Sequence, residues 1–213
     1  SWTIDSTHVL ASGLVGFGIT VYDNTLYVVG GSSGTTDNNA CYYVGLTSSG
    51  ALSGAWTTIN TCFPQFGGGN YHYPFVFSRA APGSSTTFNM YIIGGCKGTS
   101  LGCSSGSANY VTSVYKCVMN LGGGINTACS TSNQLQMIGT GFSENALFAG
   151  VVYGSYIYLV GGANGVNTTS QYIQYAMVNS SGNIVLPPGT SGTSWPFTAT
   201  TPGGGTLTKL SGA

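Results

Sequence analysis

Few side chains in this sequence could carry out acid–base catalysis. The chain has four acidic residues in 213, and hydrolysis of a glycosidic bond usually requires two carboxyl groups that face each other. Asp23 lies in a predicted hairpin turn, where aspartate is a common residue, and Asp37 lies in a polar loop. Asp5 follows a short N-terminal strand, and Glu144 precedes another strand without an evident structural role. This scattered set does not indicate a catalytic pair.

The serines and histidines do not indicate a nucleophilic site either. A catalytic triad needs a serine, a histidine and an acid close together, and the only histidines are His8 and His72. The pattern Gly-x-Ser-x-Gly occurs at 98–102 and 102–106, but in a Gly/Ser-rich loop rather than on the strand-to-helix turn where it functions. We therefore predict that the protein is not an enzyme. A secreted carbohydrate-active enzyme is the least favoured alternative, and Glu144 is the residue that would test it.

The six cysteines favour disulfide bonds over a metal site. They are Cys41, Cys62, Cys96, Cys103, Cys117 and Cys129. A zinc site needs cysteines or histidines at close spacing, whereas the nearest pair, Cys96 and Cys103, is separated by residues 97–102. An even number of well-spaced cysteines is typical of disulfide-bonded extracellular domains. We therefore expect an extracellular or cell-surface location.

The composition argues against cofactors, nucleic acids and membrane spans. Calcium would need clustered carboxylates, and neither a phosphate-binding loop nor a dinucleotide fingerprint is present, so we expect no cofactor. Nucleic-acid binding relies on clustered basic residues, and the four in this chain are scattered. They are Arg79, Lys97, Lys116 and Lys209. No apolar run approaches the ~20 residues of a membrane-spanning helix.

The low charge of the chain favours association. Only 4% of its residues are charged, and the formal net charge is +0. Little electrostatic repulsion then keeps molecules apart in solution. We therefore expect self-association, or contacts with other surface proteins or glycans.

The chain is organised as three repeats. Each repeat contains an apolar residue, a tyrosine, two aliphatic residues and Gly-Gly, at 26–31, 90–95 and 157–162. The predicted first strands, which precede these segments, are 16–22, 73–77 and 146–153. The predicted third strands end in turns at Gly50, Gly124 and Gly182. The fourth strand carries Trp56 in the first repeat and Trp195 in the third, and lies near 135–138 in the second. Each repeat thus predicts four antiparallel strands that need neighbouring repeats to cover their faces.

With these features the chain resembles the Kelch-repeat family, whose unit is an aliphatic strand ending in Gly-Gly, followed by a tyrosine and a tryptophan. It is most similar to the long extracellular Kelch-like arrays of bacteria, through the 42–50 strand and turn and the 55–58 strand. The resemblance covers roughly residues 16–197. The second repeat departs from it, because it lacks the tryptophan and has a long cysteine-bearing loop. The resemblance implies β-propeller blades. It does not imply the copper site of galactose-oxidase-like members, because His8 and His72 fall in unlike positions.

We therefore predict an all-β fold with three Kelch-like, four-stranded propeller blades in one repeat domain, 1–213. The blade-like units are about 14–60, 72–138 and 145–198. Residues 1–13 and 199–213 are expected to supply partial terminal strands. Propellers typically have 4–8 blades, so three do not close. Three explanations are open: the chain is a segment of a longer array, a neighbouring subunit completes it, or its two ends pair as a partial fourth blade.

The repeat register also predicts the disulfide pairing. Aligning the three glycine turns places Cys117 at the position of Tyr43, and Cys41 lies two residues earlier on the same strand face. Cys62 and Cys129 both lie beyond their turns. We therefore predict bonds between third and fourth strands and one across the loop after the second Gly-Gly. The predicted pairs are Cys41–Cys62, Cys117–Cys129 and Cys96–Cys103.

Two features could bind or carry sugars. Tyr71, His72 and Tyr73, with Phe66 nearby, could stack on sugar rings. The alternative, which we favour, is that they begin the first strand of the second unit and cover its core. The glycosylation sequons at Asn167 and Asn179 are expected in loops of the third repeat, where an attached glycan would be exposed.

The sequence therefore favours a secreted structural or assembly protein, such as a cell-surface layer, an extracellular filament or an adhesin segment. The alternative is a carbohydrate- or protein-binding propeller that acts through its loops.

Overall fold

Short runs rich in β-branched and aromatic residues, bounded by glycine and polar residues, form the strands of this protein. The computed structural model describes residues 4–10, 12–33, 39–63, 70–98, 109–134, 148–162, 173–185 and 198–200. Within these ranges the chain forms strands and no α-helix, so it has no helix that could span a membrane. The expected all-β fold is confirmed.

Strand bounds follow the predicted runs closely in most of the chain. The strands are β1 (Gly18–Tyr22), β2 (Thr25–Val29), β3 (Cys41–Leu46), β4 (Leu52–Ile59), β5 (Asn70–His72), β6 (Phe75–Ala80), β7 (Thr87–Ile93), β8 (Cys96–Gly98), β9 (Ser113–Asn120), β10 (Ile125–Gln134), β11 (Ala149–Tyr153), β12 (Tyr156–Val160), β13 (Ile173–Val178), β14 (Ile184–Val185) and β15 (Thr198–Thr200).

In the described part of the chain, three of the four sheets repeat one antiparallel plan. Sheet 1 has the order β1-β2-β3-β4, and sheet 2 has the order β6-β7-β9-β10. Sheet 3 has the order β11-β12-β13, and both β14 and β15 pair with β13. Strands that follow one another along each unit therefore lie side by side, which is the usual arrangement when the connections are short.

The fourth sheet is a two-stranded ribbon, β5 with β8, which the sequence did not predict. Tyr71 and His72 belong to this ribbon and not to the first strand of the second unit, which begins at Phe75. Tyr73 has a φ of 55°, in the left-handed region that a non-glycine residue seldom adopts. The chain therefore turns between the ribbon and β6.

The predicted fourth strands of the second and third units lie partly outside the described residues. In the second unit β10 begins at Ile125 directly after the glycine turn and occupies the fourth position of the sheet, and the predicted 135–138 lies outside the described residues. In the third unit the fourth strand is divided into β14 and β15, separated by residues 186–197. Trp195 lies outside the described residues, as do residues 1–3 and 201–213 of the predicted terminal strands.

Sheets 1, 2 and 3 stack face to face and enclose two hydrophobic cores. The first core lies between sheets 1 and 2 and includes Tyr27, Val29, Phe88, Met90 and Ile92. The second core lies between sheets 2 and 3, and its buried members are Phe77, Tyr91, Ile93, Val114, Ile157, Leu159, Ala176, Val178 and Ile184. Sheet 2 is covered on both faces, so sheets 1 and 3 each have one inner face and one outer face.

Candidate functional site: the outer sheet faces

The acidic residues do not assemble a catalytic pair in the described part of the chain. Asp5 Oδ2 lies 2.6 Å from His8 Nδ1, and Asp5 Oδ1 accepts hydrogen bonds from the Thr7 hydroxyl and from the amides of Thr7 and His8. These bonds, first of all the Thr7 hydroxyl, hold the pKa of Asp5 well below its usual range. The carboxylate therefore closes an exposed local turn. Asp23 lies in the β1–β2 turn, as expected.

The remaining acidic residues, Asp37 and Glu144, lie outside the described residues, as does Phe66. Within the described ranges, no three His, Cys, Asp or Glu side chains cluster in a way that could hold a metal ion.

The aromatic residues that could stack on sugar rings are mostly buried. Tyr71 is 1% exposed and His72 is fully buried, and the Tyr71 hydroxyl donates to the Gly94 carbonyl. Burial also lowers the pKa of the His72 ring. Neither ring presents a face to solvent, so these two residues do not form a stacking platform. Tyr73 is half-buried, and its amide donates to the Gly16 carbonyl.

Two disulfides lie in the first core. They join Cys41 to Cys62 and Cys117 to Cys129, which are the pairs proposed from the repeat register. Cys117 and Cys129 link β9 to β10, whereas Cys62 lies just after β4. Cys96 is also disulfide-bonded, and Cys103 lies outside the described residues.

The register that suggested these pairs was itself wrong by one residue in the second unit. Each turn is closed by the same backbone hydrogen bond, in which the amides of Gly50, Gly123 and Gly182 donate to the carbonyls of Thr47, Asn120 and Asn179. Gly123, not Gly124, is therefore the equivalent of Gly50. Tyr43, Lys116 and Tyr175 then occupy one position, and they pair with Tyr27, Tyr91 and Tyr158. Cys41 and Cys117 consequently face the same core from two different sheets.

The sequon asparagine of the third turn has a structural role of its own. Asn179 Oδ1 accepts the amides of Ser181 and Asn183 at 3.0 and 2.9 Å. This side chain therefore shapes the turn. Asn167 lies outside the described residues.

The outer face of sheet 1 presents an apolar stripe along β1. Phe17, Ile19 and Val21 alternate along the chain, point to the same side, and are 42%, 56% and 54% exposed. Deeper in the same face, Val28 and Val44 are buried. The Trp56 indole donates to the His8 carbonyl at 3.0 Å, which holds the N-terminal segment alongside β4. The open part of this face is therefore the β1 side.

The outer face of sheet 3 carries tyrosines. Tyr156, Tyr158 and Tyr175 form a ladder, with ring centroids 6.3 and 6.4 Å apart. On the adjacent strand, Val151 is 56% exposed and Tyr153 is 78% exposed. The residues between them, such as Ile157 and Leu159, point into the second core. Sheet 3 is therefore built with two apolar faces, of which one is covered by sheet 2 and the other by no sheet in the described part of the chain.

The two inner contacts between sheets have the same direction. Tyr27 of sheet 1 packs toward Phe88 of sheet 2, and the equivalent Tyr91 of sheet 2 packs toward sheet 3. The tyrosine-bearing face of each sheet thus covers the opposite face of the next. Tyr158, the third equivalent, lies on the outer face of sheet 3, where the next sheet would be.

No family model matches the chain, and no curated protein matches it. Among solved structures it is similar to one described as "Structure of YjhT", with a TM-score of 0.54 and 14% sequence identity. The match covers 87% of this chain and 48% of that one. The likeness shows the fold alone, and the chain spans about half the length of that protein.

Proposed function

We propose that this protein is a secreted, non-catalytic structural protein built of Kelch-like blades, which associates through its outer sheet faces and forms part of a cell-surface layer, an extracellular filament or an adhesin segment. The observation that supports assembly most directly is the exposure of apolar residues on both end sheets. Ile19, Val21, Val151 and Tyr153 are each more than half exposed, and large apolar patches on a protein surface commonly mark interaction sites.

Charge and cysteine chemistry support the same proposal. With 4% charged residues, the surface offers little repulsion between copies. Disulfide bonds persist in oxidising compartments, and the pairs Cys41–Cys62 and Cys117–Cys129 tie the first core together.

The second candidate function is binding of a carbohydrate or a protein by a propeller surface. The tyrosine ladder favours it, because a row of flat rings with one polar end can stack on sugars or on other apolar groups. The ladder is a weaker argument than assembly, since Tyr27 and Tyr91 at the equivalent positions are buried between sheets.

Two measurements test the proposed function. Electron microscopy of native material from the extracellular fraction should show particles that contain several copies of the chain. Isolated monomers in that fraction, together with binding to defined sugars on a glycan array, would instead support the binding function.

A further inference from the structure

The first strands of the three sheets, β1, β6 and β11, carry equivalent residues where the sheets meet. Gly18, Phe75 and Ala149 each pair with the last residue of their neighbouring strand, directly before Gly-Gly. We call this position a. The following residue is position b, which is occupied by Ile19, Val76 and Gly150.

Each contact between sheets inside the chain joins position a of one sheet to position b of the next. Between sheets 1 and 2, a Cβ on Gly18 would overlap the Val76 side chain. Between sheets 2 and 3, a Cβ on Gly150 would overlap the Phe75 ring. In both contacts a large side chain fills the space above a glycine. The large residue is at position b in the first contact (Val76) and at position a in the second (Phe75).

One position a and one position b take no part in these two contacts and lie on the outer faces. Position a of sheet 3 is the small, exposed Ala149, and position b of sheet 1 is the large Ile19, which is 56% exposed. The unused pair therefore combines one small and one large residue, as both inner contacts do.

Of the three glycine turns, the turn at Gly50 contacts no neighbouring sheet in the described chain. A Cβ on Gly123 would overlap the Tyr43 ring, and one on Gly182 would overlap the Asn89 side-chain amide and lie 3.4 Å from Lys116 Nζ. Tyr43 and Lys116 are equivalent, and Tyr175 is the third residue of this kind. Gly50, in contrast, is exposed and has nothing within 4 Å of its Cβ direction in the described chain.

One hydrogen bond shows what Tyr158 would do at such a contact. The hydroxyl of its equivalent, Tyr91, donates to the Gly182 carbonyl at 2.6 Å in a buried position. The turn at Gly50 has the same Ser-Ser-Gly sequence as the turn at Gly182. It therefore offers Tyr158 the same carbonyl acceptor.

We infer that the outer face of sheet 3 binds the outer face of sheet 1 of a second copy of this chain, with Ile19 of one copy over Ala149 of the other and the Gly50 turn against Tyr158 and Tyr175. This inference rests on the proposed assembly function and specifies its partner and register. The contact is head-to-tail, because it joins two different faces, and such contacts form closed rings or open filaments.

Two copies of the three described sheets supply six sheets. Six lies within the 4–8 blades of typical propellers, so a pair joined by two such contacts can close as a ring.

The full chain tests this arrangement through a size exchange. Light scattering after size exclusion should give about twice the 21.7 kDa of one chain. Ala149→Phe should reduce the mass to that of one chain, because two large residues then meet. Adding Ile19→Gly in the same chain should restore the pair, since the contact then copies the existing Phe75–Gly150 contact.

Matched variants separate the contact from a folding defect. Ala80→Phe introduces the same ring at an exposed alanine of sheet 2 and should leave the mass unchanged. Far-ultraviolet circular dichroism should be the same for all variants. Tyr158→Phe should weaken the pair by about 5-fold, the effect of one hydrogen bond, whereas Tyr110→Phe in the middle unit should not.

The outcomes distinguish the contact from the general proposal. An assembly that forms but does not respond to Ala149→Phe, or a folded double variant that stays at the mass of one chain, overturns the inferred contact and leaves assembly standing. A wild-type chain that remains single at every concentration, with single copies in native material, overturns both.

Discussion

The two hydrophobic cores have the same architecture but are stabilised by different interactions. The first core holds the disulfides Cys41–Cys62 and Cys117–Cys129, and its Tyr27 hydroxyl is buried with no hydrogen-bond partner among the described residues. The second core contains no cysteine among its described members, and its equivalent Tyr91 donates a hydrogen bond to Gly182. One repeat plan therefore tolerates either covalent bonds or a well-placed hydrogen bond at its sheet contacts.

Removing the two disulfides of the first core should produce the largest difference between the cores. Replacing Cys41, Cys62, Cys117 and Cys129 by alanine should lower the free energy of unfolding by roughly 6 kcal/mol, about 3 for each bond, because the unfolded chain is no longer restricted. Hydrogen exchange should show that the amides of β2 and β3 lose protection before those of β12 and β13. Equal loss in both regions would mean that the two cores unfold as one unit.

A cavity in the second core should reverse this order. Ile157 is fully buried, and Ile157→Ala should cost about 3 kcal/mol, since the transfer energy and the packing contacts are both lost. Exchange should now become faster in β12 and β13 first, as measured under the same conditions. The matched variant is Met90→Ala, which opens a comparable cavity in the first core.

Alkaline pH should weaken the first core through Tyr27. Burial raises the pKa of Tyr27 from about 10 to about 12, so the folded state favours the neutral hydroxyl. This contribution is complete below pH 10 and is lost as the pH rises toward 12, by up to about 2–3 kcal/mol. Unfolding in urea at several pH values would measure it.

The control for this titration is Tyr27→Phe, which should show a smaller decline over the same pH range. A decline of the same size in that variant would assign the effect to other buried tyrosines, such as Tyr71 and Tyr91, whose pKa values are also raised by burial.

Removing single hydroxyl groups should give the smallest and most specific difference. Tyr91→Phe should destabilise the protein by about 1 kcal/mol, because the buried Gly182 carbonyl loses its donor. Tyr27→Phe at pH 7 should be neutral or slightly stabilising, since it removes a buried hydroxyl without a partner. Thermal unfolding of the two variants side by side would compare their stabilities, and equal effects would mean that the two hydroxyl groups contribute alike.

Local sequence patterns predicted those strands that end in a clear turn signal such as Gly-Gly. The Tyr-aliphatic-Gly-Gly segments became β2, β7 and β12, and their glycines have positive φ, for example 98° at Gly95. A Cβ at Gly95 would overlap the His72 carbonyl, so glycine there also allows a close approach of the β5–β8 ribbon. The ribbon itself was missed, because each of its strands is short and its partner is distant in sequence.

The candidate site was harder to predict because it depends on which face of each sheet is covered. Period-two alternation shows that β11 and β12 have two apolar faces, but it does not tell which face meets the next sheet. The one-residue offset between Gly123 and Gly124 also changed which residues are equivalent. The pairing of Tyr91 with Lys116 shows which residues are equivalent in the three sheets. It thereby identifies Tyr158 and Tyr175 as the equivalent pair that lies on an outer face.

The divided outermost strand of sheet 3 has a practical consequence. In sheet 1, β4 runs without interruption from Leu52 to Ile59, whereas in sheet 3 residues 186–197 separate β14 from β15, and both still pair with β13. The ladder thus resumes after an added length of polypeptide. The corresponding point of β4 is where its pairing with β3 shifts register near Gly45. We accordingly expect this point to accept grafted peptides, epitope tags or additional loops at the periphery, while the stacked interior keeps its packing.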